Sequence, residues 1–151
     1  MTESSITLRE AQSEEAPAIG ALWDAAYESS SSRSSAQDIP ALLSHGTSAR
    51  LLVAELDGAM AGTLIVAYDG WRGNMYRLAV HPKFQRRGIA KQLAEAAHAW
   101  PRSIGCSRIT ALVEGDHEYA TRFWESEGCE HDEAMRRYHL DIHRQADSHE
   151  R

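Results

Sequence analysis

Six consecutive residues, Gln85-Arg86-Arg87-Gly88-Ile89-Ala90, stand where an apolar segment gives way to a helix-forming one, and their types suit an anionic ligand. The first amides of a helix have no intrahelical acceptor, and the helix start carries about half a positive charge, so such a junction attracts phosphate. Gly88 has no Cβ to keep a ligand off the backbone, and Ala90 is small to the same effect. The guanidinium groups of Arg86 and Arg87 can add charge-assisted hydrogen bonds. Arg-Arg-Gly alone fits an ordinary helix start on a solvated basic surface. The context is more specific, because Leu78-Ala79-Val80-His81-Pro82 runs into the cradle as an apolar strand and a short loop.

The rest of the chain supplies elements to hold that junction. Residues 6–9 alternate as a short first strand. Ser13, Glu14, Glu15 and Pro17 make a helix start, combining a capping side chain, an acidic first turn and a proline within it. Ala18, Ile19, Leu22, Trp23, Ala26 and Tyr27 follow at helical spacing, so Trp23 and Tyr27 read as core rather than as a ligand stack. The serine-rich run 29–35 reads as a loop, and a short helix is expected over 36–44 with Pro40 as its weak point. Residues 51–56 and 59–68, joined by Asp57-Gly58, read as a β-hairpin, since that dipeptide suits a tight turn with positive φ. A polar turn at 69–73 leads to a strand over 74–80. A helix then runs from 87 to about 104, with a kink or early stop expected at Pro101. A strand over 108–113, a helix over 118–127 closed by Gly128, and a last strand over 135–142 complete the series. Residues 1–143 form one domain and 144–151 a polar tail. Strands and helices that interleave in this way predict an α/β (α+β mixed) fold, a mixed sheet covered by helices.

Composition narrows the function. A chain of 151 residues is long enough for one core. Its net charge of −6 argues against nucleic-acid or membrane-surface binding, which draw on a basic face, so Arg86-Arg87 is a local positive spot suited to a small anion. Two cysteines, Cys106 and Cys129, make neither a disulfide framework nor a zinc pattern. His139 and His143 bracket the end of an expected strand, where a four-residue spacing has no ligating meaning, so no metal is expected. No basic and apolar leader opens the chain, and no apolar run approaches the roughly 20 residues that span a bilayer, so a cytoplasmic protein is expected.

The string from Leu78 to Ala90 resembles the signature of the GNAT superfamily of N-acetyltransferases, a (Gln/Arg)-x-x-Gly-x-(Gly/Ala) motif after a Leu-x-Val-x-Pro strand. The hairpin at 51–68 takes the place of the family's second and third strands. Ala120, Phe123, Trp124, Glu125 and Gly128 fall where members often show Ala-x-x-(Leu/Phe)-Tyr-Glu-x-x-Gly. The turn at 68–73 is similar to that of small single-domain bacterial members. The resemblance implies a mostly antiparallel seven-strand mixed sheet, flanked by about four helices and splayed at strands 4 and 5. It also implies acetyl-CoA as co-substrate, with pantetheine paired to main-chain groups of Leu78 and Val80 and pyrophosphate on the amides of Gln85 to Ala90. An oxyanion donor is expected at the main chain near Leu78 or Ala79. An amine, from a small molecule or a protein, would attack the thioester directly. A homodimer is within the family's habits.

Two positions depart from that pattern. His117 stands where members often carry Asn, and it too can donate a hydrogen bond near the cofactor. Trp124 stands in place of the tyrosine that protonates the leaving thiolate, and an indole cannot act as a general acid near neutral pH. The thiolate then leaves unaided, or a hydroxyl of Tyr119 or Tyr138 substitutes. A third possibility is that the protein is a non-catalytic acyl-CoA-binding or sensing module. For the base, Tyr76 and Glu114 are candidates at or next to central strands, with Asp69, Asp116 and His117 on nearby loops. Glu28 and the serine-rich run lie in the segment that builds the acceptor side in this family. Trp71, in a turn, is a candidate for the acceptor pocket or a dimer contact.

Overall fold

Alternation sorts the strand residues onto two faces. In the computed structural model, which describes residues 5–27, 36–44, 47–114 and 117–142, five strands form one sheet in the order β1-β2-β3-β4-β5. β1 (Ile6–Glu10), β2 (Ala49–Leu56), β3 (Ala59–Tyr68) and β4 (Gly73–Val80) pair antiparallel in turn, and β5 (Ile109–Leu112) joins β4 in parallel. Leu51 and Val53 pack with Ile19, Trp23 and Ile39 on one face, while Ala54 and Leu56 pack with Leu93 and Trp124 on the other. Helices α1 (Ala16–Ala26) and α2 (Ile39–Leu43) therefore cover the first face, and α3 (Ile89–Ser103) and α4 (Glu118–Ser126) the second. Asp57 (φ 53°) and Gly58 (φ 87°) close the β2–β3 hairpin with two positive φ angles, as Asp-Gly predicts. Gly62 lets α3 sit close on β3, because a Cβ there would stand 2.9 Å from Ile89 Cγ2 and 3.0 Å from the Ala79 carbonyl oxygen.

Several expectations change. The sheet has five strands among the described residues, not seven. The last strand expected over 135–142 is not one: Met135, Tyr138 and Leu140 are 70%, 85% and 81% exposed, and no ladder holds the segment. Alternating sequence makes a strand only where a neighbour takes its N–H and C=O groups, and here none of the described strands does. Pro101 lies in the last turn of α3, where its missing N–H gives up the bond to the Ala97 carbonyl, and the helix ends two residues on at Ser103; the Pro101 carbonyl still accepts from Ile104 (3.1 Å) and Cys106 (3.0 Å). The chain enters α1 through a 3-10 turn, Ser13–Glu15, where Glu15 rather than Ser13 does the capping: its carboxylate accepts from Gln12 N–H at 2.8 Å.

The serine-rich run 29–35, Glu28, Asp116, His143 and the tail from 144 lie outside the described residues. Among those described, no helix is long and apolar enough to cross a membrane, and no group of three or more His, Cys, Asp or Glu could hold a metal ion.

Candidate active site

β4 is longer than its parallel partner. It pairs with β5 only from Gly73 to Tyr76, so the strands part beyond that point and leave Leu78 to Val80 without a strand neighbour on the β5 side among the described residues. The ladder to β3 decides which groups face the opening. His81 N–H donates to the Ala61 carbonyl at 2.9 Å, and Ala79 stands opposite Thr63 on the same ladder. Alternation then turns the main-chain groups of Ala79 toward β3, and those of Leu78 and Val80 into the opening. Of the two amides near which an oxyanion donor is expected, Leu78 N–H is the one that alternation turns into the opening.

A bulge precedes Leu78. Ile65 faces Tyr76 and Thr63 faces Ala79, so Arg77 and Leu78 together oppose Leu64. Arg77 adopts φ 60°, a left-handed conformation that costs a non-glycine residue about 1–2 kcal/mol. The inserted residue shifts the phase of the strand, and Met75, Leu78 and Val80 share one face. Two side chains from α1 and its C-terminal cap meet the bulge. Tyr27 Oη donates to the Leu78 carbonyl at 2.7 Å. Trp23 Nε1 donates to Thr63 Oγ1 at 2.9 Å, and that hydroxyl donates to the Arg77 carbonyl at 3.3 Å. The Arg77 guanidinium lies 4.8 Å from the Trp23 ring and 5.5 Å from the Tyr27 ring, within cation–π range.

The cradle lies just past the opening. Pro82–Phe84 forms a 3-10 turn, Arg86 adopts φ 67° and Gly88 φ 83°, and α3 begins at Ile89. Gly88 caps the helix without a side chain, so the first amides of α3 keep their donors for a ligand. A Cβ at Gly88 would meet nothing within 4 Å, which leaves open space over the amides. Arg86 and Arg87 are exposed, and neither pairs with a carboxylate among the described residues. Ile89 and Ala90 bury their side chains, so what they offer a ligand is backbone. Gln85 reaches back, its Nε2 standing 3.5 Å from the Val80 carbonyl.

The opening forms a cleft of about 550 Å³. Tyr76, Leu78, Glu114 and Trp124 line it, as do Asn74, Arg77 and Arg137, which sequence reasoning did not single out, and Tyr27, which it read as core. Burial holds the Tyr27 phenol well above the ordinary tyrosine range, a rise opposed by the Arg77 charge and reinforced by Glu114. The other hydroxyls stand elsewhere. Tyr119 is half-buried beside His117, its phenol raised by burial, and Tyr138 is on the exposed segment 129–142. His117 is engaged at both ring nitrogens: Nδ1 accepts from Ala120 N–H at 3.1 Å and Nε2 lies 3.2 Å from the Ala26 carbonyl. It ties the start of α4 to the end of α1. Asp69 holds its own turn, accepting from Trp71 N–H and Arg72 N–H at 2.8 Å each, bonds that keep its carboxyl below the usual range. Trp71 is 69% exposed with Arg72 stacked on it.

A strand that leaves its neighbour beside a helix start without a side-chain cap gives this α/β domain an open cleft next to a cluster of free amides that attracts anions. A sequence profile of the acetyltransferase (GNAT) family matches residues 14–128, and the chain belongs to that family of acetyl-transferring enzymes. Solved structures share the fold. An aminoglycoside N-acetyltransferase, AAC(6')-Iy, solved with CoA, aligns at TM-score 0.73 and 18% identity over 93% of this chain and 98% of that one. A ribosomal-protein-alanine N-acetyltransferase from Brucella melitensis biovar Abortus 2308 aligns at 0.72 and 19% over 91% and 99%. A PaiA N-acetyltransferase from Thermoplasma acidophilum, in complex with coenzyme A, aligns at 0.69 and 15% over 82% and 88%. At these identities the likeness is one of fold.

Proposed function

We propose that the protein moves the acetyl group of acetyl-CoA onto a primary amine of a small molecule or a protein, by direct attack in the cleft between β4 and β5. The observation that carries this reading is the parting of the strands after Tyr76, which turns Leu78 and Val80 toward a long ligand just short of the uncapped start of α3. In this reading Leu78 and Val80 pair with the pantetheine arm and Trp124 walls it. The amides from Gln85 to Ala90, with the charges of Arg86 and Arg87, take the pyrophosphate. The neighbours solved with coenzyme A support that choice of ligand.

Acetyl-CoA supplies an activated acyl carbon and a thiol leaving group of ordinary pKa about 8.5. The chain binds, orients and moves a proton. Leu78 N–H, turned into the cleft, donates to the carbonyl oxygen as charge builds on it. Glu114 accepts the amine's proton directly or through water, with Tyr76 on the neighbouring strand as the other candidate. A thiolate of moderate pKa leaves without a protein acid, which agrees with an indole at Trp124 and with Tyr119 and Tyr138 standing outside the cleft lining. The net charge of −6 favours a cationic acceptor. The neighbours named for aminoglycosides and for a ribosomal protein are consistent with amine acceptors of either size.

Release of free CoA from acetyl-CoA across an amine library tests the reading, with binding measured in parallel. Gly88→Glu puts bulk and negative charge where the pyrophosphate would rest, and normal acetyl-CoA binding by that variant would relocate the cradle. The second reading, an acyl-CoA sensor, is favoured by Trp124 alone. Tight acetyl-CoA binding without CoA release for any amine would select it. Self-association belongs to the proposal through the apolar side chains of Met135, Tyr138 and Leu140, and sedimentation of the chain with and without residues 129–151 reads it.

A further inference from the structure

Trp23 on α1 and Tyr27 at its C-terminal cap bear on two successive carbonyls of the β4 bulge, that of Arg77 through the Thr63 hydroxyl and that of Leu78 directly. Arg77 stands in the left-handed region there, and nothing in its own type favours that conformation. Its neighbours supply what the residue lacks: the Thr63 hydroxyl of β3 on one carbonyl, the Tyr27 phenol on the next, and the Trp23 and Tyr27 rings beside the guanidinium. The direction in which Leu78 points its N–H is set by the rotation of this same backbone. A carbonyl oxygen has two lone pairs, so the Leu78 carbonyl can keep its bond to Tyr27 while accepting another from a ligand in the cleft.

We infer that Tyr27 is a positioning residue for acetyl transfer: through the Leu78 carbonyl it holds the β4 bulge in the rotation that aims the Leu78 N–H at the reacting carbonyl. The inference rests on the acetyl-CoA reading of the cleft and adds to it a residue of the cleft wall that acts through the β4 backbone. The phenol is buried and stays protonated across the working pH range, so it is a constant donor. The Tyr27 ring also packs on His117, 4.4 Å between centroids, which keeps the hydroxyl from swinging away from the strand.

Tyr27→Phe retains the ring, its contact with His117 and its place beside Arg77, and removes only the donor. Thr63→Val, the second variant, removes the donor to the Arg77 carbonyl from the other side of the bulge. In the ligand-free proteins, both changes are expected to shift the Leu78 amide resonance and speed its exchange, with the amides of β1 and β2 unmoved. With ligand, the dissociation constant for acetyl-CoA is expected to stay within about twofold while kcat falls about five- to tenfold, the size of one lost hydrogen bond. An unmoved Leu78 amide together with unchanged kcat in both variants would overturn the inference. A loss of acetyl-CoA affinity equal to the loss in kcat/KM would also overturn it, by making the role one of uniform binding. Wild-type protein that fails to bind acetyl-CoA would overturn the cleft reading itself, and binding measured on the wild type separates that failure from the other two.

Discussion

The His117 ring lies against the Tyr27 ring, with centroids 4.4 Å apart and planes at 51°, and this contact joins the end of α1 to the start of α4. The Ala120 amide can only donate, so Nδ1 of His117 is bare and the neutral ring carries its proton on Nε2, facing the Ala26 carbonyl. His117→Ala removes a helix cap and a tether together. We expect it to cost about 1–2 kcal/mol in denaturant unfolding. His117→Asn, which can still cap, should fall between that variant and the wild type.

Gly62 should tolerate nothing larger. A methyl group at 2.9 Å from Ile89 Cγ2 and 3.0 Å from the Ala79 oxygen forces α3 off β3. Gly62→Ala is expected to lose about 1–3 kcal/mol by overpacking. It should also weaken acetyl-CoA binding, because the cradle amides ride on α3. Calorimetric titration showing full affinity would separate the seat of the helix from the cradle.

Trp124→Phe should leave turnover close to wild type, since an indole is no acid. A general acid contributes about 100-fold or more to a rate, so a fall of that size in the Phe variant would give Trp124 a chemical part after all. Trp124→Ala is a different experiment. It empties a site that is 6% exposed in the wild type, and is expected to cost about 3–5 kcal/mol.

Stability should fall at low pH through the entrance to α1. The Arg9 guanidinium, 2.6 Å from Glu15, holds the Glu15 carboxyl below its usual range; burial opposes this, and the bond from Gln12 N–H assists. A lowered folded-state pKa means that the native form binds fewer protons than the unfolded one. The stabilisation is then complete above the unfolded value of about 4.3 and drains away as pH drops through the folded one. Melting temperatures between pH 6 and 3 should decline less steeply for Glu15→Gln than for the wild type.

Local chemistry made much of the fold legible. Asp57-Gly58 dictates its turn, the apolar spacing of α1 and α3 dictates their faces, and the cradle residues occupy a strand-to-helix junction as their types require. The site was harder to read because its key distortion leaves no mark. Arg77 is an unlikely residue for a left-handed bulge, so nothing in the sequence warned that the alternation of β4 changes phase there. Tyr27 was readable as core, and it is core. Its hydroxyl gains meaning only once the bulge brings the Leu78 carbonyl within 2.7 Å. Residues 135–142 misled in the opposite way, because alternation is necessary for a strand and says nothing of whether a ladder is there to receive it.

β5 is four residues long and has a strand partner on one side only among the described residues. Open edges of this kind invite any extended peptide to add itself, and a short one limits how firmly it can. Set beside the bare side chains of Met135, Tyr138 and Leu140, that edge offers folded molecules a route to associate without unfolding. Turbidity should rise with concentration well below the melting temperature, and a charged substitution at Leu140 should suppress it without moving the melt.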